Sequence, residues 1–170
     1  MPAVHHHGMT VAVEHPVLWV DGGEQVIRDL IDVFAHPNIS ARCLRHLIAS
    51  HDRLIAGRYL LPDGRGCLMN VLTEPLGEKQ ICSKGDLLRF FGCSYGEPGW
   101  PGYVAATDSP EYQPAKWLVR LIDGQVCEQT RGRYSRSCEF FDYELVIAVA
   151  AQILMQREAV TSEAMVIARM

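Results

Sequence analysis

The sequence has no C-x-x-C pair, no G-x-x-x-x-G-K-[ST] loop, no G-x-G-x-x-G turn and no histidine beyond position 51. The first absence removes the usual zinc-knuckle and dithiol redox readings of its six cysteines, at 43, 67, 82, 93, 127 and 138. The second and third leave mononucleotide and dinucleotide binding without motif support. The last rules out a papain-like order, in which the nucleophilic cysteine precedes its histidine along the chain. Residues 1–20 lack a positive start, an apolar run and a small-residue cleavage site, so a cytoplasmic location with reduced thiols is expected. No disulfide, no metal and no cofactor is expected.

Lysine is scarce, with three against 13 arginines, and the formal net charge is -4. A net acidic chain has no general attraction to nucleic acid or to an anionic membrane, which argues against both as partners. The most apolar segment, Leu145 to Met155, is interrupted by Gln152 and flanked by Glu144 and by Arg157-Glu158. A bilayer span takes ~20 residues, so this run is expected to be a buried core helix.

What is present is the material of one globular domain. The 170 residues are 48% apolar and 21% charged, enough for a sizeable core and not a disordered composition. Residues 1–20 read as an irregular N-terminal segment, with His5-His6-His7 as a solvated tail in preference to an opportunistic metal binder, and Val17-Leu-Trp-Val20 docking on the body. Residues 21–170 then read as a single domain.

From Glu24 to Ala35 the apolar positions 26, 27, 30, 31 and 34 repeat with helical spacing, and Pro37 stops the helix. Asn38 is the expected cap of a second helix over 39–56, with Leu44, Leu47, Ile48, Leu54 and Ile55 on one stripe and Gly57 as its stop. The short connection predicts an antiparallel pair. Leu61-Pro-Asp-Gly64 is a turn by its proline and glycine. Cys67 to Thr73 suits either a helix ended by Pro75 or the second strand of a hairpin, and helix is preferred.

Ser83-x-x-Asp86 resembles a capping box opening a helix over 84–91. Pro114 to Ile122 reads as helix, or as part of a hairpin turning at Asp123-Gly124. The last expected elements are a long core helix over 139–158 and a short one over 162–169. The fold class is mainly α, bundle-like around the C-terminal helix, with one or two short β-hairpins; α+β is the alternative.

Three sets of residues carry possible function. Between 92 and 113 lies a stretch with glycine at 92, 96, 99 and 102, proline at 98 and 101, and aromatics Tyr95, Trp100 and Tyr103. Long structureless connections in compact domains are usually functional or disordered. The aromatics would gain by docking, which disfavours disorder and makes this loop the expected surface for a protein or small-molecule partner. Its rival is a connector whose Trp100 plugs the core.

Cys67, at the start of a helix, would feel unpaired backbone N–H groups that favour thiolate. With His51 or His46 as base it would be a nucleophile. Free cysteine is otherwise among the most buried residue types, so a packed thiol, with His51 a hydrogen-bonded core residue, is the preferred reading. Counting from Leu44 and Leu47, His51 falls on the apolar stripe and His46 on the arginine face. Ser50-His51-Asp52 is no triad, because neighbours on a helix point ~100° apart.

The third set is Arg131, Arg133 and Arg136 in a basic loop, which fits an anion through bidentate contacts or simply a solvated linker. Cys82 and Cys93 bracket a helix that would hold them roughly 16 Å apart. Thiolates on one zinc lie within ~4 Å of each other, so this pair is excluded as a zinc site. Cys127 and Cys138 span a loop and could meet, but no further ligands stand at a recognisable interval.

The expected function is therefore a non-catalytic binding module using the 92–113 loop. A cysteine-dependent enzyme built on Cys67 is the alternative.

Overall fold

The computed structural model describes residues 1–19, 23–55, 60–77 and 143–170, together with Asp86 and Phe90. In chain order these form strands β1 (Ala3–His6) and β2 (Met9–Ala12), a 3-10 turn at Pro16–Trp19, and helices α1 (Gly23–Phe34) and α2 (Ala41–Ala49). A 3-10 turn at His51–Arg53, helix α3 (Leu68–Thr73), a 3-10 turn at Glu74–Leu76 and helix α4 (Tyr143–Ala168) follow. The fold is mainly helical, a single domain around a long C-terminal helix with one antiparallel hairpin.

That hairpin corrects the expectation of an irregular N-terminus. Ala3 pairs with Ala12, Val4 with Val11, His5 with Thr10 and His6 with Met9. His7 and Gly8 make the two-residue connection, both at positive φ (47° and 75°), as a hairpin turn of matching twist requires. Strands of four residues offer too few alternations to announce themselves. A His-Gly turn also lacks the asparagine or aspartate that would normally signal one.

The outward edge of β2 is closed by side chains. Gln152 of α4 donates to Ala12 O (2.7 Å) and accepts from Ala12 N (2.9 Å). One helical turn later Gln156 does the same at Thr10, at 2.8 and 3.0 Å. Two amide side chains thus stand in for a neighbouring strand, satisfying backbone groups that would otherwise be open to edge-to-edge pairing.

Helix α1 buries Val26, Ile27, Leu30, Ile31 and Phe34, the face its spacing predicts, together with Val33. Helix α2 begins at Ala41, two residues later than expected. Its N-cap is Ser40, whose Oγ accepts from Cys43 N at 3.2 Å, and not Asn38, whose side chain donates to the Phe90 carbonyl. It also ends early, at Ala49, where the expected helix ran to 56.

Tertiary bonds explain that early end. The Arg53 guanidinium donates twice to Gly64 O (2.9 and 2.7 Å) and pairs with Glu74 (2.8 Å). Gly66 N donates to Arg53 O and Ile55 N to Gly66 O, both at 2.9 Å. These bonds pull the chain into an extended path at Leu54 (φ -72°, ψ 129°) that a continued helix would forbid.

The Leu61-Pro-Asp-Gly64 turn is present, closed by Gly64 N to Leu61 O at 3.0 Å, with Gly64 at φ 86°. A Cβ on Gly64 would adopt a left-handed conformation and sit 3.3 Å from Arg53 Nη2. Gly64→Ala is expected to cost about 1–2 kcal/mol, from the conformation alone, read as a lower urea midpoint with unchanged slope.

The predicted antiparallel pairing of the first two helices is not what organises the core. Helices α1 and α2 each pack chiefly on α4. The physical reason lies in α4, which buries Leu145, Val146, Val149, Ala150 and Ile153 and so offers apolar surface to both.

Helix α4 also joins what read as two helices. Across the gap between the two expected elements the helix is continuous, and Thr161 and Ser162 donate their hydroxyls to Arg157 O and Glu158 O, each at 2.9 Å. At 26 residues α4 has the length and composition to cross a bilayer, so the length argument made from Leu145–Met155 no longer applies. Its first half is core, whereas Met155, Val160 (67% exposed), Met165 and Ile167 face outward.

In the 3-10 turn, Leu18 packs on the core and Trp19 is exposed. Asp86 and Phe90 are helical, within the helix expected over 84–91. The rest of that helix, Gly57, Cys82, Cys93, Cys127, Cys138, the 114–122 element and positions 139–142 lie outside the described residues.

Candidate functional site

Residues 67–73 are helical, so the backbone condition for an activated Cys67 is met: Cys67 is the N-cap of α3. The side chain tells otherwise. Cys67 is 2% exposed, and burial pushes its thiol above the ordinary value. The amides of Asn70 and Met69 and the Asn70 side chain, whose Nδ2 lies 3.6 Å from Sγ, act in the opposite direction and are outweighed. A six-residue helix offers a small dipole, while loss of water from an ion is costly. Cys67 also packs near Tyr143, whose hydroxyl is raised first by its own burial and then by Cys67.

The two histidines proposed as base do not complete the arrangement. His51 does not lie on the buried stripe of α2, because the helix ends before it. It is exposed on the following 3-10 turn, with Nδ1 against Ile48 O at 3.0 Å. There it borders an open groove of about 460 Å³ with Ile48, Tyr143, Glu144, Ile147 and Ala148. His46 is half-buried and its Nε2 lies 3.2 Å from Glu74. Burial would raise the Glu74 carboxyl, but hydrogen bonds from Arg53 and His46 and the Arg53 charge hold it below its ordinary value. Among the described residues, no hydrogen bond joins Cys67 to a histidine. His36 is a structural group: burial and then the Arg157 charge lower its pKa, and its neutral Nδ1 accepts from Asn38 N at 3.1 Å.

The hairpin brings together a set that the sequence reading had placed in a solvated tail. His6 Nε2 lies 2.8 Å and His7 Nε2 3.2 Å from the same oxygen, Asp32 Oδ1 on α1. The three donor atoms all lie within 4.8 Å of one another. The imidazole rings of His6 and His7 stand 4.0 Å apart, tilted by 46°. His5 points to the opposite face of β1, toward Thr10 Oγ1 at 3.0 Å. A histidine run followed by glycine was the only signal in the sequence, and Asp32 could not be attached to it without the fold.

A second open groove, about 600 Å³, runs between the hairpin turn and α4, lined by Gly8, Met9, Ala41, Arg157, Val160 and others. Arg157 anchors its floor, donating to the carbonyls of Ile39 and His36. Tyr95, Trp100 and Tyr103, and likewise Arg131, Arg133 and Arg136, lie outside the described residues. Neither a protein-family model, nor a curated protein, nor a solved structure matches this chain.

Proposed function

We propose that the chain is a small cytoplasmic binding module, not an enzyme, that engages a protein or small-molecule partner through the 92–113 loop. The observation that favours this over the catalytic alternative is the state of Cys67. A nucleophile needs access, a lowered pKa and a base, and Cys67 is sealed, raised in pKa and bonded to no histidine among the described residues. The composition of the loop supplies the positive support. Tyrosine and tryptophan contribute large contact area for little side-chain entropy and dominate binding hot spots. Tyr95, Trp100 and Tyr103 are its contact residues.

The test is affinity capture from a lysate with wild-type chain and with the Trp100→Ala/Tyr103→Ala double variant, each bound protein quantified by mass spectrometry. A genuine partner is expected to be lost from the variant, since two hot-spot truncations at ~2 kcal/mol each weaken binding by roughly a thousandfold. The variant's thermal midpoint is expected to stay within a few degrees of wild type. A collapse of the midpoint instead would make the aromatics core plugs and sink the proposal.

A further inference from the structure

We propose that His6, His7 and Asp32 form a surface site for one divalent transition-metal ion of the zinc, cobalt and nickel class. The elements aim these residues for reasons of local geometry. On a pleated strand alternate side chains share a face, so His6 points the way buried Val4 points, toward α1. Asp32 lies on the rim of α1 between buried Ile31 and Val33, with 16% of its side chain exposed. The positive φ of His7 turns its imidazole back beside that of His6, so that both Nε2 atoms converge on Asp32 Oδ1.

The spacing suits an ion. Four ligands at ~2.0–2.2 Å in a tetrahedral shell stand ~3.3–3.5 Å from one another. The separations of 2.8 and 3.2 Å lie a few tenths of an ångström short of that. Small rotations of side chains would admit a metal among the three atoms. Two neutral imidazoles and one carboxylate form a donor set of intermediate softness, suited to zinc-class ions rather than to calcium or magnesium, which take oxygen ligands. His7 is 70% exposed, so the fourth position opens to solvent.

A plain hydrogen-bonded anchor explains less. The half-buried His6–Asp32 contact already ties the hairpin to α1. A second imidazole on the same oxygen, mostly in water, adds little stability as an ion pair or hydrogen bond. It also places a histidine where asparagine or glycine would fit the turn more readily. A third ligand is what a metal would use it for.

The test is a calorimetric titration of the metal-stripped full chain with Zn²⁺, repeated with Co²⁺ and followed by visible absorption. One equivalent is expected to bind. The cobalt spectrum should show nitrogen and oxygen ligation without a thiolate charge-transfer band, which separates this site from any cysteine site. His7→Asn keeps a residue that tolerates the turn but removes a ligand, and Asp32→Asn keeps the shape but removes the charge. Each is expected to weaken binding at least about tenfold, the scale on which even outer-shell partners of a metal act, while His5→Ala leaves it unchanged. His7→Asn should melt at the wild-type temperature without metal, so it decides the matter even if Asp32→Asn folds poorly. No saturable binding, a thiolate band, or equal affinity in wild type and His7→Asn would each overturn the site and leave only the anchor.

Discussion

Val149→Asp is expected to abolish the fold, and Val160→Asp, about three turns further along the same helix, to leave it intact. Val149 is fully buried on α4, the helix on which α1 and α2 both pack. A carboxylate there would stand in the buried apolar core, away from water. Burying an unpaired charge costs several kcal/mol, while a domain of this kind holds about 5–15 kcal/mol in total. Val160 is 67% exposed, where substitutions usually stay within about 0.5 kcal/mol. Circular dichroism melts of the two variants check the contrast. Cooperative wild-type melting of Val149→Asp would show that the first half of α4 is not core. Unfolding of both variants would show that the distal half is packed as well.

The second large effect is chemical. Cys67 in the native chain is expected to react with iodoacetamide at least about a thousandfold more slowly than in urea. A sealed thiol must wait for an opening whose equilibrium constant follows from several kcal/mol of stability. Burial also keeps less of it as thiolate at any pH below its raised pKa. Peptide mapping separates Cys67 from the other cysteines, and Cys43, equally buried, serves as an internal comparison. Native labelling of Cys67 at pH 7 as fast as in the unfolded chain would restore the nucleophile that the fold removes.

The two experiments probe the burial of α4 and of Cys67, which the sequence pattern favours and the packing decides. Periodicity was enough for α1, because one helix with one buried stripe repeats its signal at 26, 27, 30, 31 and 34. The turn at 61–64 was equally legible, since proline and glycine act through the backbone and need no distant partner. The first turns of α3 likewise followed from local pattern and from Pro75. The mainly helical class and the burial of the 145–153 face were determined at that level.

Other features depended on residues far apart in the chain. The end of α2 is set by Arg53 reaching Gly64 and Glu74, and no local propensity at 50–56 encodes that reach. The hairpin is held at its edge by Gln152 and Gln156 from the opposite end of the chain, which turn four-residue strands into stable ones. The junction of the two expected C-terminal helices is continuous, with the hydroxyls of Thr161 and Ser162 bonded one turn back. Cys67 has the helical setting that the sequence allowed, and only the packing around it decides that the setting is dry. His6 and His7 were visible as a run, but a metal-ligating set is a matter of convergence, and Asp32 reaches them only through the packing of α1 on β1. The sequence by itself determined the helical class, the apolar faces of α1 and of the first half of α4, and the turn at 61–64. Which polar groups meet, and whether water reaches them, was decided by tertiary structure, because hydrogen bonds and desolvation depend on distances that no local pattern records.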